Sequence, residues 1–245
     1  DRIVIDTDLK TNNSIADQQF GTIIREVDYN KYNNWKNDNW DEKPRGIEPM
    51  ISFAALDAGN SVCGVSDGVR EYEVLDNNKL AFTMFRSIPY LGKPNLNDRP
   101  GRASGVYEVQ MDHALLNKEI ETTVYITDVE DDYRLMHKFS KEVLNKPISY
   151  QSGEIYDNTD HFVISKNKCY PYEYSLLEVD KAIFSTLKQS QDNNNLILRL
   201  YNPYRDKDIN FRTNIENVNY VKADEITNDV HGNLIKPCGI KTIRF

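Results

Sequence analysis

The sequence predicts an all-β, mostly antiparallel fold that carries one helix. Two observations point there. Most of the chain reads as short runs of alternating apolar residues separated by Asn, Asp, Gly and Pro, the punctuation of strands joined by turns, as in a β-sandwich. One stretch differs: "TDVEDDYRLMHKFSKEVLNKP" spaces Leu135, Met136, Phe139 and Val143 along one helical face.

Taken in order, the chain opens at Asp1 in "DRIVIDTDL", strand-like text without an initiating Met. This is what a piece of a longer protein would show, with any targeting segment upstream. Residues 30–44, "NKYNNWKNDNWDEKP", are polar, rich in Asn and hold Trp35 and Trp40. They read as a long surface loop whose rings either pin the loop to the sheet or stack on the pyranose face of a sugar.

The clearest hairpin is "VREYEVLDNNKLAFTMFRS", with strands over 69–75 and 80–86 and a turn on Asp76, Asn77 and Asn78. A period of two puts Leu80, Phe82 and Met84 on one face and makes Arg86 the next residue on it. A guanidinium closing an apolar row must be partnered within its domain, reach back to water, or be aimed at something outside this chain.

For the helix, Asp128 is the expected N-cap and Glu130, Asp131 and Asp132 an acidic first turn that offsets the helix dipole; Pro147 would end it. A boundary is expected near residue 150, dividing the chain into 1–150 and 151–245, because new strands begin after the Pro- and Tyr-containing "NKCYPYEY". Further on, "NLILRLYNPYRDKDINFRT" repeats the hairpin plan, with Leu196, Leu198 and Leu200 on one face and a turn over 203–208.

Composition excludes some functions. With 38 acidic against 30 basic residues, a formal charge of -8 and no Lys/Arg-rich run, the footprint of a nucleic-acid binder is missing. No apolar run approaches the ~18 residues of a membrane span. Cys63, Cys169 and Cys238 are odd in number and far apart, which argues for free thiols in a reducing, cytoplasmic setting.

Local catalytic motifs fail on context. "GVSDG" fits the G-x-S-x-G elbow, but strand-like "VREYEVL" follows it where a helix should, so Ser66 reads as part of a turn. Glu71 and Glu73 share a strand face roughly 7 Å apart, a spacing compatible with glycosidase carboxylates but common to any strand. His113, His137, His161 and His231 form no zinc-ligand or Cys/His spacing, and no Gly-rich phosphate loop is present. No catalytic residue, metal ligand or cofactor site is expected in this chain.

Several stretches together resemble the C-terminal β region of glycoside hydrolase family 38, the α-mannosidases, in particular its bacterial members. They are "SIADQQFGTIIR" (14–25), "PMISFAALD" (49–57), "VSDGVREYEV" (65–74), "LAFTMFRSIPYLG" (80–92), "DRPGRASG" (98–105), "NLILRLYNP" (195–203) and "GIKTIRF" (239–245). They occur in the family's order and span nearly the whole chain.

The resemblance implies an antiparallel β-supersandwich portion of galactose-mutarotase type, followed by a small terminal β-domain. It places the nucleophilic aspartate, the acid/base carboxylate and the zinc in an N-terminal barrel that nothing here matches. That barrel would be this region's partner and an α-mannoside or oligosaccharide the substrate, with retaining hydrolysis by the full-length enzyme. A homo-oligomer is compatible with this. The family also sends an arginine from this β region toward the sugar, a role that "TMFRS" puts on Arg86, with Met84 and Phe85 replacing leucines and Pro89 a common glycine. The competing expectation is a free-standing carbohydrate-binding module that stacks sugars on Trp35, Trp40 and the tyrosines of "YPYEY".

Overall fold

A computed structural model describes residues 1–90, 92–101, 109–115, 118–130, 132–149, 154–155, 162–163 and 171–245. The fold is all-β and antiparallel, with one α-helix among the described residues. Ahead of the helix lie β1 (Arg2–Asp6), β2 (Asn13–Gln18), β3 (Gly21–Glu26), β4 (Ile47–Pro49), β5 (Phe53–Asp57), β6 (Asn60–Ser66), β7 (Glu71–Leu75), β8 (Lys79–Thr83) and β9 (Val124–Glu130). They form one sheet in the order β1-β8-β7-β4 and a second in the order β3-β2-β5-β6-β9.

The expected hairpin is β7–β8. Asp76 and Asn77 take the left-handed φ values, 52° and 62°, that their short polar side chains tolerate. The Asn78 side chain donates from Nδ2 to the Thr7 carbonyl at 2.7 Å and ties the turn to the chain leaving β1.

The two sheets pack face to face. Ala16, Ala54 and Leu56 of the second meet Tyr72, Leu80 and Phe82 of the first. Gly64 on β6 allows this approach, because a Cβ there would overlap the Phe82 ring. On the other face of the second sheet, Ile15, Phe53, Ala55, Cys63 and Val65 pack under Met136 of the helix. A strand covered on both sides is apolar at successive positions, hence "FAAL" in β5.

The helix, α1 (Tyr133–Leu144), starts later than its acidic leader suggests. Asp132 is the N-cap and accepts from the Arg134 amide at 2.9 Å, whereas Asp128 sits inside β9 opposite Val62. Pairing with β6 claims the backbone through Glu130, so the helix can open only beyond it. Asp131 lies outside the described residues. The helix ends at Leu144, ahead of Pro147, and buries Met136 with Phe139 and Val143 packed beside it.

A two-stranded ladder, β10 (Glu154–Ile155) with β11 (Phe162–Val163), precedes the terminal strands β12 (Ile183–Gln189), β13 (Leu196–Tyr201), β14 (Ile209–Asn210), β15 (Asn219–Val221), β16 (Leu234–Ile235) and β17 (Ile240–Arg244). The order is β12-β13-β17-β15, with β14-β16 as a separate ladder. Leu198, Leu200 and Ile243 pack against Ile209, Phe211 and Ile235 in a core of their own.

The expected second hairpin is therefore not formed. Both edges of β13 are occupied, by β12 and β17, so 203–208 is a crossover into the small ladder instead of a turn back onto β13. Leu198 and Leu200 are buried as the alternation suggests, while Leu196, at the strand end, is 43% exposed.

Candidate functional site

Strand β8 stops at Thr83, and the chain leaves the sheet before Arg86. Leu80 and Phe82 are buried and Met84 packs against them, but the guanidinium does not complete their row. Its Nη2 lies 2.9 Å from Glu71 Oε1 on β7, and both side chains are more than a third exposed. Such pairs contribute about 0–1 kcal/mol, so Glu71 gives Arg86 a partner inside the sheet and holds it weakly. Glu73, the second acid of that face, pairs with Arg2 at 2.5 Å.

The tryptophans part company. Trp35 is buried at 6% exposure and anchors the loop; Trp40 is 48% exposed, with the Tyr32 ring 5.4 Å from it. Ser66 lies within β6 and donates to the Thr123 carbonyl at 2.7 Å, which commits it to the sheet. Cys63 is buried and free, Cys238 half-buried and free, and Cys169 lies outside the described residues, as does His161. Of "YPYEY", Tyr172 and Tyr174 are exposed and Tyr170 is outside them. His113 and His231 are exposed. Among the described residues no three His, Cys, Asp or Glu side chains group as metal ligands, and no helix is long and apolar enough to cross a membrane.

The fourth histidine leads to the main polar site. Beside its apolar stripe, α1 carries a second stripe, His137, Ser140, Lys141 and Leu144, continued by its C-cap Asn145, which follows the three- and four-residue steps of a helix face. This stripe faces the terminal strands across a cleft of about 380 Å³. The β2–β3 turn and the start of β5 close one side; β12 and Tyr201 of β13 close the other.

The floor is rigid. Asp17 Oδ1 accepts from the amides of Ile51, Ser52 and Phe53 at 3.0, 2.9 and 3.1 Å, and Oδ2 accepts from the Ser52 hydroxyl at 2.5 Å. Ser52 and Ser140 hydroxyls are 2.7 Å apart. His137 places Nε2 at 3.0 Å from Thr22 Oγ1 and Nδ1 at 3.0 Å from the Tyr201 hydroxyl. Burial pulls His137 down to about 4, opposed by the Asp17 charge and reinforced by Lys141. Burial, and then the same Asp17 charge, push the Tyr201 phenol up. At neutral pH the imidazole is therefore neutral, with one donor and one acceptor nitrogen matched by two hydroxyls that can serve either way.

No nucleophile–base line joins these groups, since the Ser52 hydroxyl turns to Asp17, the Ser140 hydroxyl to Ser52, and both His137 nitrogens to Thr22 and Tyr201. The arrangement can bind and it can hold two β units together. Around it, Phe20 meets the Tyr201 ring edge-on at 6.0 Å, Gly21 lies against Cys238, and the Tyr204 hydroxyl donates to Asp132 at 2.6 Å.

Residues 181–231 match the family described as glycosyl hydrolases family 38 C-terminal beta sandwich domain. The matched residues all lie in the terminal unit, from just ahead of β12 to the chain beyond β15. Among solved structures, this chain is similar along 100% of its length to an α-mannosidase from Enterococcus faecalis V583, at a TM-score of 0.70 and 16% identity, covering 25% of that chain. It is similar over 100% of its length to a protein in glycosyl hydrolase family 38 from Enterococcus faecalis, at a TM-score of 0.65 and 16% identity, covering 26% of that chain. At this identity the likeness is one of fold, and the chain spans about a quarter of either structure. A search of curated proteins gives no match.

The terminal unit, which holds the matched residues, lends Tyr201 and Ser185 to the cleft. Sequence reasoning set aside His137 for want of a spaced partner and did not single out Asp17 or Tyr201. The available signal was the polar stripe adjoining the apolar face of α1.

Proposed function

We propose that this chain is the C-terminal β region of an α-mannosidase and supports a catalytic barrel located elsewhere in the same protein. The observation that carries the reading is the pairing of a family 38 match at 181–231 with a likeness in fold to α-mannosidase structure along the entire chain. In the full-length enzyme, α-mannosides or mannose-containing oligosaccharides would be hydrolysed with retention, and the nucleophile, acid/base carboxylate and zinc would come from the barrel. The free thiols of Cys63 and Cys238 support a reducing, cytoplasmic setting, and the separate cores before and after α1 support a boundary near residue 150.

A covered face is supported where the chain leaves β8. Bridging of Tyr90 to Gln110 and of the Met111 amide to the Pro89 carbonyl gathers Ile88, Tyr90, Val109 and Met111, each 39–50% exposed. Apolar groups gathered in this way suit a protein interface. Arg86 stands at the root of this ledge, and its weak pair with Glu71 leaves it able to exchange that acid for a carboxylate or sugar hydroxyl across the interface.

The second reading, a free-standing carbohydrate-binding module, is favoured by one observation, the half-exposed Trp40 ring. Two measurements separate them. The chain alone should not hydrolyse an aryl α-mannoside with or without zinc, whereas the full-length protein should. Turnover by the pure chain, abolished by a point substitution within it, would overturn the supporting role. Calorimetric sugar binding lost in Trp40→Ala would favour the module.

A further inference from the structure

We infer that the cleft between α1, the β2–β3 turn and β12 is a binding site for a neutral hexopyranose. Its volume, about 380 Å³, lies in the range of small-ligand pockets, and its position between two β units is a common one for such sites. The rim is built from side chains with nothing else to do: those of Gln18, Gln19, Asp67, Lys141 and Ser185 make no hydrogen bond or ion pair with the described residues, yet all line this one cavity.

Charge indicates the ligand class. Asp17 and Asp67 are matched by Arg70 and Lys141, so the cleft has no surplus of either sign to attract a phosphate or a metal ion. Amides, hydroxyls, carboxylates and cations together offer both acceptors and donors, which suits sugar hydroxyls that donate and accept at once.

Two backbone irregularities point side chains inward. Ser185 is the extra residue of a β-bulge between Phe184 and Thr186, a device that re-aims side chains and is over-represented beside functional sites. Phe20 holds φ +61°, a strained setting for a bulky residue, and its ring is 40% exposed at the cleft wall while its edge rests near Tyr201. That ring supplies an apolar wall for a pyranose face. Below it, the fixed Asp17–Ser52–Ser140 floor needs no ordering on binding, which lowers the cost of association.

The cleft's own chemistry would select a sugar whatever role the chain has in a mannosidase. Amide shifts of the chain, followed by two-dimensional NMR, should respond to methyl α-D-mannopyranoside or methyl α-D-glucopyranoside at residues 18–20, 67, 141–145 and 185, with a dissociation constant in the millimolar range. Asp67→Ala, an exposed substitution, should weaken binding about tenfold, the scale of one lost hydrogen bond to a charged group, without moving the thermal midpoint. Absence of shifts at high sugar concentration, shifts confined to the Trp40 loop, or tighter binding of glucose 6-phosphate than of the neutral glycosides would each overturn the assignment.

Discussion

His137 Nδ1 lies 3.0 Å from the Tyr201 hydroxyl, and this contact joins the helix behind the first sandwich to a central strand of the terminal sheet. Its other nitrogen reaches Thr22 on β3, so one imidazole ties three elements. Tyr201→Phe keeps the packing and removes the hydroxyl, leaving a buried nitrogen without a partner at a cost of about 1–3 kcal/mol. Urea unfolding should show a lower midpoint for this variant. An unchanged midpoint would mean the junction is held by its apolar contacts alone.

Acid should weaken the same junction. His137 takes up a proton near 6.5 when unfolded but only near about 4 when folded, because burial disfavours its charge. Between those values the unfolded chain binds more protons, so this group's contribution is whole above pH 6.5 and is lost as pH falls toward 4. The full effect is at most roughly 3 kcal/mol. His137→Gln should reduce the slope of stability against pH across that window; an identical slope would assign the acid sensitivity to other groups.

Gly64→Ala should destabilise the sandwich by about 1–3 kcal/mol, the usual cost of overpacking, because the new methyl group would overlap the Phe82 ring. Adding Phe82→Leu should recover part of the loss, a coupling that a double-mutant cycle measures. Additive effects would show that the two residues do not compete for the same space.

Arg86→Ala should hardly change the thermal midpoint of this chain, since the Glu71 pair is exposed and worth about 1 kcal/mol or less. In the proposed full-length mannosidase, if the guanidinium faces the sugar, kcat/KM should fall by an amount on the order of 2–4 kcal/mol, the scale of one preorganised donor. Near-normal kinetics would assign Arg86 to its ion pair with Glu71.

Local chemistry determined much of this protein. Alternation in "REYEVL" and the tolerance of Asp76 and Asn77 for left-handed backbone specify the β7–β8 hairpin, and the spacing of Met136, Phe139 and Val143 specifies the helix face that covers the second sheet. The likeness of 181–231 to family 38 showed in the sequence as a resemblance, through "NLILRLYNP". Tertiary structure decided where those elements start and whom they meet. Asp128 could not cap the helix because β6, more than sixty residues earlier in the chain, claims its backbone, and β13 could not turn back on itself because β17, forty residues later, lies beside it. The cleft is the extreme case: Asp17, His137 and Tyr201 come from three distant segments, and each looks ordinary in its own surroundings. Periodicity and turn propensity act over a few residues, whereas strand partners and the meeting of two β units are set by burial across the whole chain, which leaves no local mark.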